Sequence, residues 1–252
     1  MASTRSWREA VGVLEADLRT ILDTRLRALV VYEAHGLLGE ASGASAAAAD
    51  GELQHDEQVH TLVVVDDFAY GDLARLAPLA ANWAKRGLAV PLFLAPSELQ
   101  RSLDAFPLEF SQIIARHLVV AGDDPFRDMA VADRDLRRAC EAQARSHLLH
   151  LREGFIQAAG SPQALAWLVS ASVVPLRALL VNIAALHGVN ARTPDALGHF
   201  VEQRLHLRTE GLRPLLSSGR AEQVRDLDVG AFFPAYLLAV EQLTTLVDEW
   251  TL

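Results

Sequence analysis

The chain is poor in the residues that mark secreted and nucleic-acid-binding proteins. It has one cysteine in 252 residues, so no disulfide can form within it. Its 23 lysines and arginines are outnumbered by 32 aspartates and glutamates, which leaves a net charge of -9. Phosphate backbones attract clustered basic side chains, so this deficit disfavours nucleic acid as a main partner. The lone Cys140 falls in a predicted helix, where the sequence favours a buried, unreactive thiol.

Long uninterrupted apolar runs are also missing. The most apolar stretch, residues 164–187, is interrupted by Pro175 and Arg177, and we predict no membrane span. Residues 1–9 lead into an amphipathic helix without the apolar core of a signal peptide. From these features we expect a cytoplasmic protein.

Hydrophobic residues make up 51% of the chain, enough to build a sizeable core, and the length suits two modest domains. In residues 1–128, short apolar runs typical of strands alternate with helical patterns, which predicts a small α/β domain. The runs are 26–32, 62–65, 90–94, 106–114 and 117–121, with helices predicted over 7–22 and 70–86 and from residue 96.

Residues 129–252 carry helical periods separated by short breaks, which predicts an all-α helical bundle. Asp133, Ser161 and Thr193 each stand where a helix N-cap is expected, because their side-chain oxygens can accept hydrogen bonds from free backbone N–H groups.

Five segments between residues 7 and 160 resemble the nucleotidyltransferase fold, in particular bacterial nucleotidyltransferase-domain proteins with an α/β head and a helical tail. The similar segments are Leu29-Val30-Val31-Tyr32, Leu62-Val63-Val64-Val65-Asp66-Asp67, residues 93–99, Phe106-Pro107-Leu108-Glu109-Phe110, and residues 138–141 with 148–152. The resemblance implies an α/β (α+β) head with a small mixed sheet, followed by an all-α bundle.

Active members of that family carry Gly-Ser after the first strand and two acids, one residue apart, at the start of the second. The paired carboxylates hold Mg²⁺, which bridges the phosphate oxygens of a nucleoside triphosphate. In this chain Glu33-Ala34 stands at the Gly-Ser position, and Val59 and Thr61 stand at the acid positions. The resemblance therefore places the cleft at Glu33, Ala34, Gly36, Val59 and Thr61, with Glu109 as the weak match to a third acid on a strand.

Two hypotheses remain open. The first is a protein that has lost catalysis and binds a protein partner, a second copy of itself or a nucleotide, with no cofactor and no metal. The second is a divergent, active nucleotidyltransferase that uses Mg²⁺ and a nucleoside triphosphate, with Glu109 and acids that precede residue 60.

Other candidate groups each have a structural alternative. Arg138, Arg145 and Arg152 recur every seven residues and could attract an anion, although Glu141 is well placed to pair with Arg145 on an exposed face. His55, Asp56, Glu57 and His60 lack the ligand spacing of a metal site, and a solvated loop is favoured. Asp66 and Asp67 point to opposite faces of a strand, and we predict that they end it and cap the next helix.

The tail also invites comparison with HEPN domains, whose ribonuclease motif joins an arginine, a polar residue and a histidine. Asn182 and His187 have the spacing, but Val181 replaces the arginine. A chance occurrence on a packed helix is favoured, with His187 at the end of that helix.

Overall fold

The chain divides into two compact units. The computed structural model describes residues 7–32, 58–207, 209–217 and 228–250. The head unit comprises residues 1–130 and the helical unit residues 131–252. This division falls two residues after the boundary that the sequence predicts.

A four-stranded mixed sheet forms the centre of the head unit. Its strands are β1 (Leu26–Tyr32), β2 (His60–Val65), β3 (Leu92–Leu94) and β4 (His117–Gly122). They lie in the order β3-β2-β1-β4, with β1 antiparallel to both neighbours and β2 parallel to β3. The predicted strands at 26–32, 62–65, 90–94 and 117–121 are thus present, with small differences at their ends.

Helix α1 (Trp7–Leu22) covers one face of this sheet. Its buried residues recur at three- and four-residue steps, which gives the helix a single apolar face. They form one core with residues of β1 and β2 and with Trp83 from α3 (Ala80–Ala84). The buried face of α1 comprises Trp7, Ala10, Val11, Leu14, Leu18 and Leu22.

The predicted helix over residues 70–86 is divided in two. Helix α2 (Tyr70–Leu76) ends in a 3₁₀ turn, Ala77–Leu79, before α3 begins. Pro78 has no N–H to donate to the preceding turn, which accounts for the interruption. Leu73, predicted to face inward, is 48% exposed.

The predicted strand over residues 106–114 is wrong. The segment forms helix α5 (Pro107–Ala115), directly after α4 (Pro96–Ala105). Pro107 occupies the first turn, where its missing N–H does no harm, and Phe110 and Ile113 are buried three residues apart. A short apolar run is compatible with both the period of a strand and the period of a helix, and this segment is helical.

The described part of the helical unit contains five α-helices and one 3₁₀ turn, Thr209–Gly211. The helices are α6 (Asp133–Ala158), α7 (Pro162–Leu186), α8 (Pro194–Gln203), α9 (Arg213–Ser217) and α10 (Val229–Glu249), and α6 packs against both α7 and α10.

Two of the three predicted helix N-caps are present. Ser161 and Thr193 are confirmed, because their hydroxyls accept from the backbone N–H of Ala164 and Ala196 at 3.3 and 3.2 Å. Asp133 is wrong, because Ala132 is the N-cap and Asp133 is the first helical residue. There its charge still favours the helix N-terminus.

Helix α7 continues through Pro175 without a break. Within the described residues, α7 and α10 are the two helices long and apolar enough to cross a membrane by length and composition. Core helices satisfy the same criterion, and both helices bury several residues in this unit.

Candidate functional site

The two positions where paired acids are expected lie in the packed interior of the head unit. Val59 precedes β2 and is held by a 2.8 Å hydrogen bond from its N–H to the Gly87 carbonyl oxygen. Thr61 lies opposite Val31 in the β1–β2 register. Val59 is 0% and Thr61 is 1% exposed.

Both residues face the core beneath α1. Side chains two apart on a strand point to the same side, so Val59, Thr61 and Val63 share a face. Val59 and Val63 belong to the core that includes α1, and so does Val31, the cross-strand neighbour of Thr61. A carboxylate at either position would therefore be placed in an apolar core.

The side chains present do not fit a magnesium ion. Mg²⁺ requires oxygen ligands, above all carboxylates, and valine offers none. The Thr61 hydroxyl is buried and has no hydrogen-bond partner among the described residues. Across the described ranges, no three His, Cys, Asp or Glu side chains are grouped so that they could hold a metal ion.

Two sets of predicted residues lie outside the described residues. They are the cleft positions Glu33, Ala34 and Gly36, and the loop candidates His55, Asp56 and Glu57. The remaining candidate acid, Glu109, is in the first turn of α5 and exposed. Its predicted position on a strand is therefore wrong, for the reason that makes residues 107–115 helical.

An aromatic and imidazole row crosses the sheet where β1 ends. Tyr32 lies opposite His60 on β2 and opposite His117 on β4. The rings of Tyr32 and His60 are 5.8 Å apart. His117 is fixed by contacts of Nδ1 with the Ile113 carbonyl oxygen at 3.2 Å and of Nε2 with Asp124 Oδ1 at 3.1 Å. The row offers partly buried imidazoles at this strand end, and the Asp124 carboxylate contacts one of them.

Sequence reasoning missed this row because its members are distant in the chain. Each occupies the end of its own strand, and only the register brings them together. The sequence did contain one signal for the row: His60 and His117 each stand at the start of an apolar run.

Asp66 and Asp67 end β2 as predicted, but neither caps the next helix. Asp66 forms an ion pair with Arg27, and Asp67 adopts a left-handed backbone conformation with φ 50°. The capping carboxylate is Asp72, whose Oδ2 accepts from the Ala69 N–H at 3.0 Å. Asp72 also receives both terminal nitrogens of Arg25, at 2.7 and 2.8 Å.

This pair predicts an acid-sensitive contribution to stability. The Arg25 guanidinium, with the Ala69 N–H, lowers the pKa of Asp72 from 3.8 to about 2. Since the folded pKa lies below the unfolded one, the contribution is complete above pH 4 and is lost as the pH falls towards 2. We expect Asp72→Ala to lower the free energy of unfolding at neutral pH by at least about 1 kcal/mol, the usual loss for a helix N-terminal acceptor.

Urea denaturation followed by circular dichroism measures this effect. The difference between wild type and Asp72→Ala should shrink as the pH falls from 4 to 2. Glu109→Ala is the control, because Glu109 is an exposed acid in the first turn of another head helix. An Asp72→Ala effect that is constant with pH would contradict the assignment.

The arginine stripe of α6 is neutralised by ion pairs. Arg138 pairs with Asp135 at 3.3 Å. Arg145 contacts Asp248 of α10 at 2.9 Å, and Arg152 contacts Glu241 of α10 at 2.8 Å. The stripe therefore joins two helices, and the geometry gives no support to an anion site there.

The HEPN-like residues face different surroundings. Asn182 is 1% exposed and donates to the Ala178 carbonyl oxygen at 2.9 Å. His187 follows the last turn of α7 as its C-cap, and its exposed ring stacks on Trp250 with centroids 4.4 Å apart. Because the Asn182 amide is buried and the His187 ring is exposed, the two groups do not meet at one surface that could bind a phosphodiester.

Cys140 is buried, as the sequence favours. It is 0% exposed, and burial raises the pKa of its thiol to about 12. The group is therefore a neutral thiol at physiological pH, without the thiolate that reactivity requires.

A buried polar chain in the helical unit joins three helices. His147 Nε2 is 2.8 Å from Tyr236 Oη, which is 2.9 Å from Ser172 Oγ. Ser172 donates its only hydrogen to the Val169 carbonyl oxygen at 2.7 Å. Tyr236 must then donate to Ser172, and His147 must donate from Nε2 to Tyr236. Burial lowers the pKa of His147 to about 4, so its ring is neutral.

The comparisons with known proteins concern the fold. The spectinomycin adenyltransferase AAD(9) from Enterococcus faecialis, solved with ATP and spectinomycin, is similar over 97% of this chain and 100% of that chain. The TM-score is 0.55 and the sequence identity is 12%. No protein-family model matches the chain, and no curated protein matches it. The chain thus has a nucleotidyltransferase-like fold, with a small mixed sheet and helices in the head and an all-helical C-terminal region.

Proposed function

We propose that this protein has lost metal-dependent nucleotidyl transfer and acts by binding. The observation that carries the proposal is the burial of Val59 and Thr61 beneath α1. Nucleotidyl transfer depends on carboxylates that hold a metal ion against the triphosphate, and these two side chains supply none. Their packing also leaves no room for a metal ion.

A protein surface is the class of ligand that the helical unit supports best. Several large apolar side chains of α6 and α7 are half or more exposed, whereas Arg145 and Arg152 of α6 are paired with acids of α10. Exposed apolar groups of this kind are typical of protein interfaces. They are Leu149, Phe155, Ile156, Trp167 and Val174.

Nucleotide binding without turnover is a second outcome within the same proposal. The similar adenyltransferase was solved with ATP, and a related fold can retain affinity after losing chemistry. In that case the nucleoside triphosphate would bind this chain without Mg²⁺-dependent release of pyrophosphate.

Titration calorimetry with each nucleoside triphosphate and MgCl₂, followed by analysis of the products, tests the proposal. We expect no pyrophosphate in any mixture, whether or not heat of binding is observed. Spectinomycin should be included as an acceptor, because the similar adenyltransferase was solved with it, and an unrelated aminoglycoside should be included for comparison.

The control variant is Glu109→Ala, which removes the acid that the sequence matched to the family. Its exposed place on α5 predicts the same result as for wild type. If wild type released pyrophosphate and Glu109→Ala did not, the proposal would be overturned and the divergent enzyme would be favoured. In that case Mg²⁺ and the nucleoside triphosphate would be its cofactor and substrate.

A further inference from the structure

Helix α7 is apolar on both of its faces. One face is buried in the helical unit and comprises Leu165, Val169, Val173, Leu176, Leu180 and Ile183. The opposite face has no charged residue either, although it is exposed over much of its length. A helix that is apolar all round is normally covered on all sides, so the exposed outer face of α7 is a candidate contact surface.

The residues of the outer face follow a heptad. Alanine recurs every seven residues at one position, and a bulky residue recurs every seven residues at another, three residues later. The six residues form what we call the α7 seam: Ala164, Trp167, Ala171, Val174, Ala178 and Val181. Such a repeat is typical of a helix that packs lengthwise against another helix.

The seam is accessible. Trp167 and Val174 are 63% and 70% exposed, Ala164 and Ala171 are exposed, and Ala178 and Val181 are half-buried. Pro175 lies beside the seam and not on it. The one charged residue of α7, Arg177, donates to the carbonyl oxygens of Leu215 and Leu216 at 2.8 and 2.7 Å.

The order of small and bulky residues makes the seam complementary to itself in one orientation. In an antiparallel pair centred between residues 172 and 173, every layer joins one alanine with one bulky residue. The layers are Ala164 with Val181, Trp167 with Ala178, and Ala171 with Val174, each repeated by the two-fold axis. A parallel pair would instead alternate Ala–Ala layers with Trp–Trp and Val–Val layers, and the spacing of the helices would be uneven.

We propose that the α7 seam binds the α7 seam of a second copy of this chain, antiparallel, in a symmetric dimer. Symmetric dimers use the same patch on both subunits, so a patch must complement itself, as this one does. The seam spans 18 residues and is about 27 Å long, because each helical residue rises about 1.5 Å. It brings no charge towards its symmetry mate. This inference concerns the helical unit and holds whether or not the head transfers nucleotides.

Sedimentation equilibrium of the full chain with two matched variants is the first test. Val174→Glu places a charge near the centre of the seam. Val90→Glu makes the same substitution in the head unit, outside the seam, where Val90 is 64% exposed. We expect wild type and Val90→Glu to be dimers at micromolar concentration. Val174→Glu should raise the dimer dissociation constant about 100-fold, the effect of leaving a charge in an apolar contact.

Disulfide cross-linking tests the orientation. In the antiparallel register Ala171 meets Val174 of the other copy, so a mixture of Ala171→Cys and Val174→Cys chains should form a heterodimeric disulfide under mild oxidation. A parallel pair would join Ala171→Cys to itself. The native Cys140 is buried and does not interfere.

Three results of these two experiments would overturn the proposal. They are a wild-type monomer at micromolar concentration, a dimer that Val174→Glu and Val90→Glu weaken equally, and disulfide formation between Ala171→Cys chains alone. Circular dichroism of Val174→Glu verifies that the variant is folded, and the cross-linking result stands independently if it is not. Binding of the wild-type monomer to phosphatidylcholine vesicles, lost in Val174→Glu, would assign the seam to a membrane and would also overturn it.

Discussion

Thr61→Asp should destabilise the head unit and should not create a magnesium site. The side chain is 1% exposed and faces the core beneath α1, where an unpaired carboxylate loses its hydration without gaining partners. The expected loss in free energy of unfolding is about 3 to 5 kcal/mol, the usual cost of an uncompensated buried charge. Urea denaturation of wild type and variant, with and without MgCl₂, measures it.

Thr61→Val is the matched control. It has nearly the same volume and the same branching at Cβ, and it removes a buried hydroxyl that has no partner among the described residues. An unsatisfied buried hydroxyl costs about 1 kcal/mol or more, so this variant should be at least as stable as wild type. If Thr61→Asp were folded and Mg²⁺ raised its midpoint, the position would face a cleft, and the proposed loss of catalysis would lose its basis.

Acid should weaken the helical unit through His147, and the loss should begin above the pH at which carboxylates titrate. Burial lowers the pKa of His147 from 6.5 to about 4 in the folded protein. Between these values the unfolded chain binds a proton that the folded chain does not. The contribution of the neutral His147 ring to stability is therefore complete above pH 6.5 and is lost as the pH falls towards 4, by about 3 kcal/mol in total.

The comparison with His147→Gln isolates this effect. Glutamine can still donate to Tyr236 Oη but does not titrate. As the pH falls from 7 to 4.5, the free energy of unfolding should therefore decrease more for wild type than for His147→Gln. Tyr236→Phe should be less stable at both pH values by about 1 to 3 kcal/mol, because it leaves His147 and Ser172 without their partner. A wild-type to His147→Gln difference that does not change with pH would show that the imidazole is solvated.

The sequence by itself determined the elements whose signals are local. The apolar runs of β1 and β2, the period of α1 and the caps at Ser161 and Thr193 depend on residues a few positions apart, and the structure confirms them. The identity of Val59 and Thr61 was equally plain, and with it the absence of acids at the positions that the resemblance implies.

The tertiary structure decided what lies around those residues. The apolar run over residues 107–115 is short enough to form a strand or a helix. In the fold it is a helix that buries Phe110 and Ile113, and Glu109 is therefore exposed. The chain from His147 through Tyr236 to Ser172 joins residues up to 89 positions apart. Burial and register depend on which segments meet in space, so a pattern within one segment cannot carry them. A repeat along one helix, such as the α7 seam, is visible in the sequence, but only packing shows which face of the helix is left exposed.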